Sequence, residues 1–242
     1  MALPKILPLS KTVHLPIADI DVKIYAFTVK EEKTLLISRD FGDLSLEENL
    51  IDLIRLKTEG VNIDDLCMSD MIILLVEILS ISKTSTQDLS FRCSNEVDGK
   101  PCNTRIDLKL DIANYNINGT SENHKMVQLD DNTSVELVYP KYRVIAPIRK
   151  KEQPTEEDIS NIYIDCIYAI YSGDDMITDF TKEEITEWFN DLPGEYLHYF
   201  VDFVQSMPSV TLSYDVVCPK CGNKRHFEAV NILDFFTPDT AE

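Results

Sequence analysis

The hydrophobic positions of the chain follow two different periods, and each period marks one type of secondary structure. Apolar and polar residues alternate over residues 12–28, which predicts two short β-strands joined by a turn near Ala18 and Asp19. After residue 28 the apolar positions recur at the spacing of amphipathic helices, and Thr28 with Glu31 forms a capping box. We expect helices over residues 28–39, 46–58 and 64–83.

The second half of the chain repeats this order of strands followed by helices. Alternation over residues 88–139 predicts strands, and Asn118-Gly119 is a typical hairpin turn between two of them. The basic segment 141–151, which Pro147 interrupts, is predicted as a linker or crossover. Helices are then expected over residues 155–171, 181–191 and 195–206, and strands over residues 209–217 and 225–230.

These elements predict an α+β protein in which helical layers surround a central antiparallel β segment. We divide the chain into an N-terminal strand pair with helices, the central β segment, an acidic helical segment, and a C-terminal hairpin with its tail. The four parts cover residues 1–86, 87–146, 147–208 and 209–242.

The strongest chemical motif is Cys218-Pro219-Lys220-Cys221-Gly222, a turn between the last two predicted strands. Two thiols at this spacing, with proline fixing the turn and glycine allowing a positive φ, are typical of a zinc knuckle. A structural zinc ion needs four ligands, and Cys93 and Cys102 bracket a second loop between strands. The pattern therefore predicts a discontinuous zinc ribbon. Its ligands are Cys93, Cys102, Cys218 and Cys221, with His226 as the reserve ligand.

Two other interpretations of these cysteines stay open. They could be buried thiols without a metal, or a reactive redox pair of the C-x-x-C type. A thioredoxin-like pair opens a helix after a strand, whereas a predicted strand follows Cys221. Cys67 and Cys166 fall on apolar helix faces, so we expect both in the core.

Charge and composition argue against several functions. The 242 residues contain 23 Lys and Arg against 42 Asp and Glu, a net charge of −19. Such an acidic chain is a poor ligand for phosphate backbones or anionic lipid, so we expect neither nucleic acid nor a membrane as partner. The 7 glycines form no phosphate-binding loop motif, and none of the 4 histidines lies in a catalytic motif. We therefore expect a non-enzymatic protein.

The negative charge is concentrated between Glu152 and Asp202, which contains 14 acidic residues and one basic residue. One interpretation is a solvated outer face of amphipathic helices, and the other is a docking surface for a basic partner protein. The basic segment 141–151 could also pair with part of this stretch inside the molecule. The residues named for the docking surface are Glu183, Glu184 and Glu187.

Several short motifs occur in an order that identifies a family. They are Leu3-Pro4-Lys5, the run Phe27-Thr28-Val29-Lys30-Glu31-Glu32-Lys33-Thr34-Leu35-Leu36, the pair Cys93 and Cys102, Val138-Tyr139-Pro140, the knuckle at 218–222, and Asp234-Phe235-Phe236. This arrangement resembles the baseplate hub and hub-assembly proteins of T-even-like contractile-tailed bacteriophages. The resemblance covers nearly the whole chain.

The resemblance implies a late protein of viral tail assembly that contacts other phage hub or tail proteins. It implies either a subunit of the baseplate central hub or an assembly factor, that is, a chaperone. We expect the protein in the host cytoplasm during assembly; a hub subunit would then stay in the tail baseplate of the virion, whereas an assembly factor would leave. Two alternatives are a zinc-ribbon nucleic-acid-binding module, supported by Lys220, Lys224 and Arg225, and a thiol redox protein.

Overall fold

The computed structural model describes residues 6–39, 43–83, 86–119, 122–230 and 233. The motifs Leu3-Pro4-Lys5 and Asp234-Phe235-Phe236 lie outside the described residues. The helices are α1 (Val29–Arg39), α2 (Asp43–Lys57), α3 (Met68–Ser82), α4 (Tyr142–Arg149), α5 (Glu156–Asp165), α6 (Lys182–Asn190) and α7 (Leu197–Gln205). The strands are β1 (Ser10–Leu15), β2 (Ile20–Tyr25), β3 (Thr58–Glu59), β4 (Thr86–Arg92), β5 (Glu96–Val97), β6 (Lys100–Pro101), β7 (Arg105–Asp111), β8 (Asn116–Asn118), β9 (Lys125–Gln128), β10 (Thr133–Leu137), β11 (Ile167–Ser172), β12 (Asp175–Ile177), β13 (Ser209–Val217) and β14 (Lys224–Ala229).

The strands form several antiparallel sheets rather than one continuous sheet. Their orders are β1-β2-β3, β12-β11-β10-β9, β14-β13-β8, β4-β7 and β5-β6. The described residues thus combine helices with antiparallel sheets, which agrees with the α+β class expected from the sequence. Within the described residues no helix is both long enough and apolar enough to cross a membrane.

The first hydrophobic core is built around α3. Every residue of this helix from 69 to 79 except Glu77 is buried, as expected for a helix that other elements surround. The β1–β2 hairpin packs on it, because alternate side chains such as Val13 and Val22 point to one face. The buried carboxylate of Asp70 accepts the Ala18 N–H at 2.9 Å and so holds the hairpin turn on α3.

The second core lies between the β9–β12 sheet and helices α5, α6 and α7. Val127, Val135 and Ile170 face one another across β9, β10 and β11, and all three are buried. Phe200 and Phe203 of α7 fill this core, and the Phe203 ring stacks on Tyr139 at 4.6 Å between centroids.

Strand β13 joins the first core to a small third cluster. Residues 209–211 pair with β8, and Val210 and Leu212 lie in the first core. Residues 212–217 pair with β14, and Val216 lies in the cluster that contains Cys93, Cys102 and Cys218. The third cluster is therefore anchored to the body of the protein through one continuous strand.

The helix predicted over residues 155–171 is wrong in its final part. Helix α5 ends at Asp165, and β11 begins at Ile167. Ile167, Ala169 and Ile170 are buried and pair along β10, so the sheet outweighs the helical spacing of the apolar residues. Gly173 then lies in the turn that leads to β12.

Two further predictions are also wrong. The segment predicted as a linker contains α4, with Pro147 inside the helix, because Tyr142 and Ile148 are buried and hold it in place.

The Asn118-Gly119 pair does not join two paired strands, since β8 pairs with β13 and β9 pairs with β10. The strands of the central β segment consequently belong to four sheets. The division of the chain into four parts stays a prediction.

Candidate metal centre

The first cysteine pair lies in the loop between β4 and β7. The Cys93 N–H donates to the carbonyl of Thr104 at 2.9 Å, and the Asn103 N–H donates to the carbonyl of Cys93 at 3.0 Å. The Cys102 N–H donates to the carbonyl of Asn95 at 2.7 Å. Asn103 has a φ of 50°, a left-handed conformation that turns the chain directly after Cys102. The backbone of this loop thus fixes both cysteines.

The second pair lies in the turn between β13 and β14. The Cys218 N–H donates to the carbonyl of Asn223 at 2.8 Å, and the Gly222 N–H donates to the carbonyl of Cys218 at 2.9 Å. Gly222 has a φ of 70°, which a residue with a Cβ adopts only with strain. This turn confirms the expected conformation of the motif, including the positive φ at its glycine.

The fold brings the two cysteine pairs together. The four Sγ atoms all lie within 4.8 Å of one another, and we call this group the thiol cluster. The Sγ atoms of Cys93 and Cys221 are 3.6 Å apart, and those of Cys102 and Cys218 are 3.7 Å apart. A disulfide would require about 2.05 Å. Four sulfurs at a metal–sulfur distance of about 2.3 Å form a tetrahedron with edges of about 3.8 Å, so the cluster fits a tetrahedral ion.

The thiol cluster is enclosed by the two hairpins. Cys93, Cys102 and Cys218 are at most 7% exposed, and Cys221 is half-buried. Aromatic rings pack beside them, with the Phe227 ring 5.3 Å from both Phe91 and Tyr214 between centroids. All four coordinating positions would be filled by protein sulfur, which is the arrangement of structural rather than catalytic metal sites.

Backbone amides and neighbouring thiols lower the pKa of one cysteine of the cluster and raise the pKa of another. The N–H groups of Cys221 and Lys220 help lower the pKa of Cys218 to about 6. For Cys93 the N–H of Asn95 favours the thiolate, but burial and the neighbouring thiols outweigh it and raise the pKa to about 11. A bound cation would remove this conflict, because it stabilises every thiolate at once.

Two polar side chains near the cluster were not identified from the sequence. The Asn95 side-chain amide donates to Cys221 Sγ at 3.7 Å, and the Thr104 hydroxyl lies 3.2 Å from Cys102 Sγ. Such contacts orient metal ligands and tune their basicity. Asn95 and Thr104 each lie two positions after a cysteine, and no general spacing rule marks such residues in advance.

The remaining cysteines and the reserve ligand lie elsewhere. Cys67 and Cys166 are buried in the second core, as expected. Burial raises the pKa of Cys67 to about 12, so this thiol stays protonated. His226 is not part of the thiol cluster; its Nδ1 lies 2.8 Å from the carboxylate of Asp215, and its side chain is 61% exposed.

One of the three basic residues near Cys221 makes contacts within the ribbon. The Arg225 guanidinium lies over the Phe227 ring at 4.9 Å and donates to the Ser94 hydroxyl at 3.3 Å. It therefore bridges the two hairpins. Lys220 and Lys224 are exposed.

The acidic residues named for docking have different roles. The Glu184 carboxylate accepts the N–H and hydroxyl of Thr181 at 2.7 and 2.9 Å, and these bonds lower its pKa. Glu184 is thus part of the capping box of α6. Glu183 and Glu187 line a surface groove between α5 and α6 together with Glu157 and Asp191.

The basic segment pairs with acids on both of its sides. Toward the acidic stretch, Lys151 contacts Asp158 at 2.7 Å and Arg143 contacts Asp165 at 3.7 Å. Toward α2, Arg149 contacts Glu47 at 2.9 Å and Lys150 contacts Glu48 at 2.6 Å. The internal pairing expected for this segment is confirmed for Asp158 and Asp165.

Comparison with known proteins identifies a family for this chain. The sequence matches the family described as T4 bacteriophage base plate protein over residues 8–237. No curated protein and no solved structure matches significantly. The matched range contains all the strands and helices described above, both cysteine pairs included. It confirms the resemblance to phage baseplate proteins, and the chain belongs to the T4 bacteriophage base plate protein family.

Proposed function

We propose that this chain is a non-enzymatic protein of the baseplate central hub, either a hub subunit or an assembly chaperone. The match to the baseplate family, which extends over residues 8–237, carries the proposal. The order of short motifs along the chain supports the hub in particular. The protein would act in the host cytoplasm during assembly, through contacts with other hub or tail proteins, and a hub subunit would stay in the virion tail.

We infer that the thiol cluster holds a structural zinc ion. Sulfur-only coordination with tetrahedral geometry favours zinc over hard cations such as magnesium and calcium. Zinc would stabilise the four thiolates and join two hairpins that are 116 positions apart at Cys102 and Cys218. Cys93, Cys102, Cys218 and Cys221 would each supply one ligand. Its effect on function would be indirect, through the stability of the ribbon.

A surface for partner proteins is the second part of the proposal. Glu183 and Glu187 on α6 are exposed, and neither forms an ion pair with another described residue. Carboxylates left without a cation favour a basic partner through complementary charge. Glu184 contributes to this surface only by capping α6.

The hub role is tested by removing the gene from the phage that encodes it. We expect infected cells to accumulate tail components without complete baseplates, as seen by sedimentation and electron microscopy of lysates. The chain supplied from a plasmid should restore baseplates. Complete baseplates formed in the absence of the chain would contradict the proposal.

The docking surface is tested in the same complementation experiment. We expect the Glu183→Lys/Glu187→Lys variant to restore baseplates poorly while keeping the wild-type melting temperature. The matched control is Asp174→Lys/Asp175→Lys, which changes the same charge at the β11–β12 turn. Equal restoration by both variants would show that the acidity of α6 serves solubility only.

Mass spectrometry of purified virions separates the two hub roles. Peptides of this chain in intact particles would identify a subunit, and their absence from particles that needed the chain for assembly would identify a chaperone. The two alternative classes make other predictions. A nucleic-acid module would bind DNA or RNA in low salt, and a redox protein would contain a rapidly alkylated thiol in the metal-loaded form.

A further inference from the structure

The segments that enclose the thiol cluster carry positive charge, although the chain as a whole is strongly acidic. Residues 92–105 and 217–226 contain six basic residues against two acidic ones, Glu96 and Asp98. We call these two segments the ribbon tip. Its basic residues are Arg92, Lys100, Arg105, Lys220, Lys224 and Arg225.

Three lysines of the ribbon tip are not neutralised within the molecule. Lys100, Lys220 and Lys224 are exposed, and across the ranges that the structure describes none of them forms an ion pair. Arg105, by contrast, pairs with Asp107 at 2.8 Å. The tip therefore presents three free ammonium groups, which favour a partner surface of negative charge.

A groove of that charge lies between α5 and α6. It has a volume of about 720 Å³ and is lined by four carboxylates and one ammonium group. The carboxylates belong to Glu157, Glu183, Glu187 and Asp191, and the ammonium group to Lys182. In the described part of the chain none of the four carboxylates forms an ion pair. We call this feature the acidic groove.

We propose that the ribbon tip of one molecule binds the acidic groove of a second copy of this chain. The three free ammonium groups of the tip match the excess of three negative charges in the groove. Ammonium and carboxylate groups form charge-assisted hydrogen bonds, which are stronger than neutral ones. The inference rests on the docking surface proposed for α6 and names the partner that this surface binds.

The net charge of −19 is compatible with this contact and disfavours a nucleic acid at the tip. The phosphates of a nucleic acid would be repelled by the acidic remainder of the chain. At about 0.15 M ionic strength the Debye length is about 8 Å, so the repulsion between two copies is screened outside the contact. A tip in a groove buries a small area, and we therefore expect a weak association. Because the two surfaces differ, the contact is head-to-tail and closes a ring or extends into a chain of molecules.

The test uses the purified full chain alone and is thus independent of baseplate assembly. Sedimentation velocity at about 0.15 M salt should show association that rises with protein concentration and weakens in about 0.5 M salt. Lys100→Glu/Lys224→Glu reverses one lysine on each hairpin of the tip, and Glu183→Lys/Glu187→Lys reverses the groove. Each variant should weaken association by at least about tenfold.

A chain that carries both pairs of reversals gives the sharpest result. Its net charge equals that of the wild type, and its negative tip fits its positive groove, so association should return. The control is Lys30→Glu/Lys33→Glu, which changes two exposed lysines of α1. It has the same net charge as the tip variant and should associate like the wild type, because α1 takes no part in the contact.

Several results would overturn the inference. They are a wild-type chain that stays monomeric, association that neither reversal weakens, and binding of a DNA oligonucleotide that the tip variant abolishes. If the wild type is monomeric and the groove variant still fails in baseplate assembly, the groove binds a different protein and the self-contact is wrong. If the wild type associates as expected and the groove variant assembles baseplates normally, the self-contact stands and the assembly role of the groove is wrong.

Discussion

The Sγ atoms of Cys93 and Cys221 lie 3.6 Å apart although the two residues are 128 positions apart in the sequence. Cys93 follows β4 and Cys221 lies between β13 and β14, so the contact joins two hairpins from distant parts of the sequence. A metal at this point would link the middle of the chain to its C-terminal part. The effect of removing it should therefore spread beyond the loop that is changed.

Replacing Cys218 by serine removes one ligand from the thiol cluster. We expect the variant to lose zinc and to unfold at least the ribbon, because the other thiols would remain close together without a shared cation. Metal analysis and circular dichroism check this expectation. His226→Ala is the matched control, since this histidine lies outside the cluster, and its zinc content should equal that of the wild type. Zinc loss in the histidine variant would restore His226 as a ligand.

The buried Asp70 should make the stability of the first core depend on pH. Burial raises the pKa of Asp70 from 3.8 to about 6, against the N–H groups of Ala18 and Ile17, which favour the carboxylate. The folded state therefore holds this proton more tightly than the unfolded state. The resulting stability is fully present below about pH 4 and is lost as the pH rises through 6, and it amounts to about 3 kcal/mol.

Asp70→Asn isolates this contribution. The free energy of unfolding of the wild type minus that of the variant should fall between pH 4 and pH 7, since the amide does not titrate. Urea unfolding at several pH values measures the difference. A difference that is constant with pH would show that Asp70 has the same pKa in the folded and unfolded chain.

Gly119 is a position where a side chain should be poorly tolerated. Its φ is +102°, and an added Cβ would lie 3.3 Å from the Cα of Pro208. We expect Gly119→Ala to lower the free energy of unfolding by about 1–3 kcal/mol. Gly194→Ala is the control, because a Cβ there meets nothing within 4 Å, and it should change stability by less than about 0.5 kcal/mol. Equal effects of the two variants would contradict the geometry around Pro208.

Glu183 and Glu184 are neighbours with different expected roles. Glu184→Ala should lower the melting temperature, because alanine cannot accept the two hydrogen bonds that the Glu184 carboxylate accepts from Thr181. Glu183→Ala should lower it less, because no side-chain hydrogen bond of the cap involves Glu183. Thermal unfolding of the two variants compares them at the same change in charge. A larger loss for Glu183→Ala would show that the capping box of α6 is not formed in solution.

Local signals in the sequence predicted local structure well. The capping box at Thr28 and the conformation of Gly222 depend on residues within a few positions of each other. The start of β11 was missed because Ile167 and Ile170 also fit helical spacing, and only their pairing with β10 decides between the two. The spacing of apolar residues along the sequence does not show which strands pair with each other, because that pairing depends on the tertiary structure.

In the candidate site as well, some features could be predicted from the sequence and others could not. The motif at Cys218 and Cys221 could be recognised from its spacing, and Cys93 and Cys102 could be proposed as its partners. The contributions of Asn95 and Thr104 could not, because they arise from the way the loop folds around the cluster. Glu184, which was named for docking with Glu183 and Glu187, also caps α6, and the docking role of the three residues stays a prediction.

We propose that four cysteines from two distant hairpins hold one zinc ion. X-ray absorption spectroscopy of the purified full chain, combined with metal analysis, distinguishes this site from a cluster of thiols without a metal. We expect about one zinc per chain with four sulfur neighbours at about 2.3 Å. A folded chain without zinc, or a zinc ion with nitrogen or oxygen among its ligands, would contradict the claim.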